Sequence, residues 1–140
     1  MNYKIEFDCN KVNFEVVCDV IKKAGLATYP LEQTKKAFEN SYVTIFIFDG
    51  EKLIGTGRAI SDEAYQAALY DIAVLPEYQG KGIGKTIIEE LHKKLTNINI
   101  ILYANTTAEN FYRKLGYSKM LTGMAKFNNE KSMRERGFTD

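Results

Sequence analysis

Residues 69–95 read as a buried strand, a glycine-rich turn and an amphipathic helix in immediate succession. The run from Leu69 to Leu75 is mostly apolar, and Pro76, which has no N–H for a central ladder, ends it. Gly80, Gly82 and Gly84 mark the turn. From Ile83 the apolar residues return at helical spacing, at Ile83, Ile87, Ile88, Leu91 and Leu95. Such a junction leaves the first N–H groups of the helix without intrahelical acceptors, at the positive end of the helix dipole. Glycines there let the backbone adopt positive φ and come close to a ligand. Residues 79–85 therefore read as a cradle for a phosphate or pyrophosphate, with Lys81 and Lys85 adding positive charge.

Three glycine-loop patterns compete for this stretch. A nucleotide P-loop takes its ending from Gly84, Lys85 and Thr86, but Gln79 stands where its first glycine belongs. The strand expected over 98–104 also leads to Asn105 rather than to an acidic residue that could help hold Mg²⁺. A dinucleotide fingerprint fits Gly80 and Gly82, but Lys85 replaces its last glycine. The third pattern, Gln/Arg-x-x-Gly-x-Gly/Ala, is met by Gln79, Gly82 and Gly84. A second segment, with Asn105, Ala108, Phe111, Tyr112, Gly116 and Tyr117, follows Asn-x-x-Ala-x-x-Phe-Tyr-x-x-x-Gly-Phe/Tyr. Together these segments, spanning residues 69–117, resemble the two signatures of the GNAT superfamily of N-acyltransferases.

A chain of 140 residues, 45% apolar and 26% charged, suits one globular domain over 1–140. A net charge of +1 points to neither nucleic acid nor a membrane surface as partner. The apolar runs, such as 43–48, are far shorter than the ~20 residues a bilayer span needs. The opening residues carry no signal-peptide pattern. Cys9 and Cys18 form neither a metal-ligand spacing nor a disulfide framework, so a cytoplasmic location is expected. The single histidine, His92, is expected on the solvated side of its helix with no role, and no metal site is expected.

Along the chain, periodicity predicts a strand over 3–7, a helix over 13–24 stopped by Gly25, and a helix over 31–39 after Pro30. Strands over 43–48, 52–60 and 66–75 form an antiparallel meander, with Asp49-Gly50 as its first turn signal. Gly55 and Gly57 inside the second strand signal a bulge or a close backbone approach. The helix over 83–95 crosses to a parallel strand over 98–104. A helix over 108–115 stops at Gly116. A final hairpin is expected over 117–121 and 123–127, and a loosely held polar tail over 128–140.

The resemblance implies an α+β fold, a mixed and splayed central β-sheet with about four flanking helices. It implies acetyl-CoA as the cofactor, CoA as product and no metal. The strand at Ile72, Ala73 and Val74 would meet the cofactor, its pantetheine amides pairing at Ile72 and Val74. The pyrophosphate would lie on Gln79, Gly80, Lys81, Gly82, Ile83, Gly84 and Lys85. Asn105, beside the pantetheine arm, and Phe111 complete the cofactor-binding set.

Amide formation sets the remaining requirements. The attacking amine must lose a proton, the tetrahedral oxyanion needs a donor, and the departing thiolate needs an acid. Tyr112 stands at the position of the general acid in the resembled family's motif, and the backbone N–H of Val74 is the candidate oxyanion donor. Asp71, an acidic residue in an apolar strand, reads either as a base, directly or through water, or as a hydrogen-bonded structural aspartate. The positions where some family members carry a base are Tyr70 and Ala68 here, which favours a water relay. Glu63 and Glu109 are weaker candidates. The expected acceptor is a small-molecule primary amine rather than a protein, with Tyr29, Tyr65 and Tyr70 as candidate lining. A homodimer is possible. The competing functions are an acyl-CoA-binding sensor of the same fold, and a nucleotide-binding protein using Gly84, Lys85 and Thr86.

Overall fold

The computed structural model describes residues 2–140, which fall into two compact units, one ending at Ile101 and the other Leu102–Asp140. The first opens with β1 (Lys4–Glu6), followed by α1 (Phe14–Lys23) and α2 (Leu31–Glu39). The side chain of Asn13 caps α1 by accepting from the Glu15 N–H. Gly25, at φ +84°, ends it, with the Leu26 N–H reaching back to the Ile21 carbonyl at 3.2 Å.

The meander follows as β2 (Val43–Asp49), β3 (Lys52–Ser61) and β4 (Gln66–Val74). Asp49 pairs with Lys52, so Gly50 and Glu51 make the turn, one residue later than the Asp49-Gly50 signal suggests. Then α3 (Ile83–Lys94) crosses to β5 (Asn99–Ile101), which lies parallel to β4. The sheet order is β1-β2-β3-β4-β5, and all pairs but the last are antiparallel. This is the expected mixed sheet of an α+β fold.

Successive residues of a strand point to opposite faces, and β3 uses that alternation fully. Gly55 and Gly57 face α3. A Cβ on Gly57 would come within 2.8 Å of Ile72 Cδ1 and 2.9 Å of Ile87 Cγ2, so only glycine lets the helix seat at this depth. Arg58 faces the other way and lies over the ring of Phe38 from α2. Val17, Val20, Ile21 and Phe38 make the core on the α1/α2 side, and Ile83, Ile87, Ile88 and Leu91 make it on the α3 side.

β5 is shorter than expected. Its ladder with β4 ends at the Ala68–Ile101 pair, while β4 runs on to Val74. No β5 residue stands opposite the second half of β4, and the sheet opens there.

The second unit holds α4 (Glu109–Lys114) and α5 (Glu130–Glu135). One expectation fails in it. Residues 117–127 contain no strand, and Leu121 and Met124 are almost fully exposed, so this stretch lacks the half-buried face that stabilises a hairpin. Within the expected tail, residues 130–135 are helical. Asn129 accepts from the Ser132 N–H at one end, and Gly137, at φ +84°, lets the Phe138 N–H reach the Met133 carbonyl at the other.

Candidate active site

The site begins where the sheet opens. In the β3–β4 ladder Thr56 faces Ala73 and Arg58 faces Tyr70, which leaves Gly57 alone opposite both Asp71 and Ile72. This is a β-bulge in β4. Asp71 takes its left-handed position, at φ +55°. Asp and Asn tolerate that region better than other side chains with a Cβ, and β-branched Ile72 would not. The Asp71 carboxylate accepts from Arg58 Nε at 2.7 Å. Arg58 also donates from Nη1 to the Ser41 hydroxyl and lies over the rings of Phe38 and Tyr70, at 5.7 and 5.2 Å from their centroids. The two charged side chains retain only 16% and 21% exposure, which sets the pair apart from ordinary surface ion pairs. Asp71 is thus ion-paired, and Tyr70 packs beneath the guanidinium.

Beyond Val74 a single 3-10 turn, Pro76–Tyr78, leads into the glycine loop. Gly80 and Gly82 take φ of +76° and +84°, and neither has an atom within 4 Å of where a Cβ would sit. Their requirement is therefore conformational rather than steric. Gly82 is the N-cap of α3 and offers no side-chain acceptor. The first turn of α3 carries no acidic residue, so its outward N–H groups and its positive dipole end are left for an anion. The Thr86 hydroxyl donates back to the Gly82 carbonyl at 3.0 Å, an i−4 bond common for threonine in the first turns of a helix. The Gln79 side chain donates to the Val74 carbonyl at 3.0 Å, so it ties the loop to the end of β4. Ile72, Ala73 and Val74 of β4, and Gln79 through Lys85 beyond the 3-10 turn, all lie in the first unit.

Asn105, Phe111 and Tyr112 belong to the second unit. Asn105 is exposed, and its carbonyl accepts from the Ala108 N–H just before α4. Phe111 and Tyr112 pack edge to face, 5.0 Å between centroids, and Tyr117 also packs edge to face with Tyr112, at 5.5 Å. Gly116, at φ +94°, turns the chain so that the Tyr117 N–H bonds the Tyr112 carbonyl at 3.1 Å. The second motif is therefore a short helix closed by its own C-terminal cap. Burial pushes the Tyr112 phenol up to about 12, so it carries its proton throughout the neutral range.

Several features escaped sequence reasoning. Arg58, as partner of Asp71, gave only the signal of a second charge inside an apolar strand. His92 is half-buried rather than solvated, and burial pulls its pKa down. Tyr29 and Tyr65 are largely exposed. A cavity of about 300 Å³ is walled by α1, α2 and the turn before them, with Glu15, Glu32 and Glu39 against Lys35. None of the expected cofactor residues lines it.

Comparison with known proteins gives an independent view. Residues 40–119 match the family described as Acetyltransferase (GNAT) domain. The uncharacterized N-acetyltransferase ycf52 of Gracilaria tenuistipitata var. liui is 36% identical over 115 residues, 77% of this chain and 62% of its own length. GCN5-related N-acetyltransferase 2, chloroplastic, of Arabidopsis thaliana is 36% identical over 124 residues, 72% of this chain and 47% of its own length. The chain thus spans only about half to three-fifths of these curated relatives. Among solved structures, a protein of unknown function from meticillin-resistant Staphylococcus aureus, described as a probable acetyltransferase, superimposes with a TM-score of 0.81. It is 28% identical, with 90% of this chain and 99% of that chain covered.

Proposed function

Since this chain belongs to the GNAT acetyltransferase family, we propose that it transfers an acetyl group from acetyl-CoA to a primary amine. The observation that carries this reading is the junction of β4 with α3. Two left-handed glycines stand there beside a helix N-terminus with no side-chain cap and no acidic residue. That arrangement suits a pyrophosphate. Gln79, which stands where a P-loop has its first glycine, argues against use of the same loop for a metal-bound nucleotide.

In this reading Gln79, Gly80, Lys81, Gly82, Ile83, Gly84 and Lys85 hold the pyrophosphate, and Ile72, Ala73 and Val74 meet the pantetheine arm with Asn105 and Phe111. When bound, acetyl-CoA supplies an activated thioester carbonyl. The Val74 N–H donates to the oxyanion that develops there. Tyr112, fully protonated at neutral pH, donates to the departing sulfur. Asp71, engaged by Arg58, holds the bulge from which Ile72 and Val74 present their backbone groups. The amine's proton then leaves through water.

The acceptor we propose is a small amine. A net charge of +1, with no strong excess of either sign in the composition, supports a small molecule over a macromolecule. We also propose that the protein works in a reducing compartment, with Cys9 and Cys18 free. No helix among the described residues is long and apolar enough to cross a membrane.

The test is a thermal-shift titration against acetyl-CoA, CoA, ATP with Mg²⁺, and NAD. A ligand at ~100 times its Kd stabilises by ~2.7 kcal/mol, several degrees for a domain of this size. Stabilisation by acetyl-CoA and CoA alone is expected, followed by thiol release on screening small amines. Stabilisation by ATP–Mg²⁺ alone would refute the reading.

A further inference from the structure

Tyr78 sits immediately before the glycine loop, and four residues converge on its side chain. Its hydroxyl donates to Asp49 Oδ2 at 2.6 Å, at the end of β2. Tyr3 packs against its ring edge to face at 6.3 Å. Two ammonium groups lie over the same ring, Lys81 Nζ at 5.3 Å and Lys52 Nζ at 5.4 Å from the centroid. Lys81 comes from the loop. Lys52 comes from the hairpin between β2 and β3, a different part of the chain. Neither ammonium group is ion-paired with a carboxylate among the described residues, although other surface lysines, such as Lys23 with Asp19, are.

Both ammonium groups rest against the negative π-system of one ring, with the Asp49 carboxylate at its hydroxyl, and each keeps N–H donors for an anion. The aromatic anchor also restrains two long side chains that would otherwise lose rotamer freedom on binding. The backbone N–H groups of the loop already serve a pyrophosphate. Coenzyme A carries a second, chemically separate phosphate, a monoester on its ribose 3′ oxygen. Like other phosphate monoesters, it is mostly dianionic at neutral pH. Lysines bind such a group as point charges, without the planar fit that arginine demands.

We infer that Lys52 and Lys81, presented together by Tyr78, form a subsite for the 3′-phosphate of coenzyme A. The inference rests on the acetyl-CoA reading and deepens it. Lys52 becomes a cofactor-specificity residue contributed from outside the glycine loop. Tyr78 becomes its positioning residue, tied to the hairpin through Asp49.

The experiment measures the Kd of CoA and of 3′-dephospho-CoA by calorimetry, for the unmodified protein and for Lys52→Ala. Lys52 is exposed at the start of β3, so removal of its side chain leaves the core untouched. The unmodified protein is expected to prefer CoA. Lys52→Ala is expected to weaken CoA binding by roughly fivefold, the scale of one exposed charge contact, and to leave 3′-dephospho-CoA unchanged. Tyr78→Phe, which keeps the ring, should retain the preference, and Tyr78→Leu should lose it. Equal weakening of both ligands by Lys52→Ala, or no weakening of either, overturns the subsite. Failure of the unmodified protein to bind either ligand instead removes the acetyl-CoA reading on which it rests.

Discussion

Arg58 donates from Nε to Asp71 Oδ2 at 2.7 Å, and the same Asp71 occupies the left-handed position of the bulge in β4. One residue thus satisfies two demands, a backbone conformation that few side chains accept and a partner for a largely buried guanidinium. Asp71→Asn keeps the first and weakens the second. It should lower stability by about 1–3 kcal/mol in urea unfolding, from the loss of a charge-assisted hydrogen bond. The pH at which turnover rises should stay where it is. A rising limb displaced by about a unit or more would make Asp71 the catalytic base. Asp71→Ala loses both demands and should destabilise more than Asp71→Gly, which still accepts positive φ.

Tyr112→Phe tests the acid. It removes one hydroxyl from a packed aromatic cluster, so the fold should survive. We expect kcat to fall by about 10²-fold with the Kd for acetyl-CoA unchanged, as for loss of a group that acts on the departing sulfur. With its pKa near 12, Tyr112 does not titrate in a neutral-pH assay. The shape of the pH profile from about pH 6 to 9 should therefore be the same in the variant, set by the amine acceptor. An unchanged kcat would exclude the role.

Gly82→Ala and Gly57→Ala separate conformation from space. At Gly82 there is room for a methyl group, but φ is +84°. The expected cost is about 1–2 kcal/mol of backbone strain, with a higher KM for acetyl-CoA and little change in kcat. At Gly57 the backbone is unstrained, but the methyl would strike Ile72 and Ile87. The expected cost is about 1–3 kcal/mol of overpacking, read by thermal or denaturant unfolding. If the two variants gave the same balance of KM and stability changes, the distinction would fail.

Alkaline titration reports the tyrosines. Burial pushes Tyr112 and Tyr117 up to about 12, and the hydrogen bond to Asp49 does the same for Tyr78. An unfolded tyrosine ionises near pH ~10. A pKa raised in the folded chain means that the native state keeps a proton the unfolded chain has already lost. Stability from these groups is intact below about pH 10 and is lost as pH rises toward about 12. Phenolate absorbance should show a late class among the nine tyrosines, ionising as the protein unfolds, and Tyr112→Phe should remove one member of it. Ionisation of all nine together near pH ~10, with the fold intact, would contradict the structure.

Legibility followed the range of the interactions involved. The glycine loop was readable because its requirements are local: positive φ at Gly80 and Gly82, and helical spacing from Ile83 onward. The close approach at Gly57 was readable as an anomaly in a strand, but its partners Ile72 and Ile87 were not. Arg58 and Asp71 are thirteen residues apart on different strands, so their pairing depends on ladder register, which no short window contains. In the C-terminal part the failure ran the other way. Apolar residues between Tyr117 and Phe127 suggested strands, yet Leu121 and Met124 face solvent. The cap signals of α5, Asn129 and Gly137, were present in the sequence but were outweighed by the polar composition around them.

Gly57 also bears on how firmly the glycine loop is held. Because Ile87 sits directly on the bare backbone of β3, α3 is wedged against the sheet along its first two turns, and the loop that starts the helix inherits that anchorage. For the phosphate cradle proposed above, this anchorage predicts a loop largely pre-formed before a ligand binds. Little conformational entropy remains to be lost on association, so affinity should respond to changes in charge and hardly at all to substitutions that merely stiffen the loop.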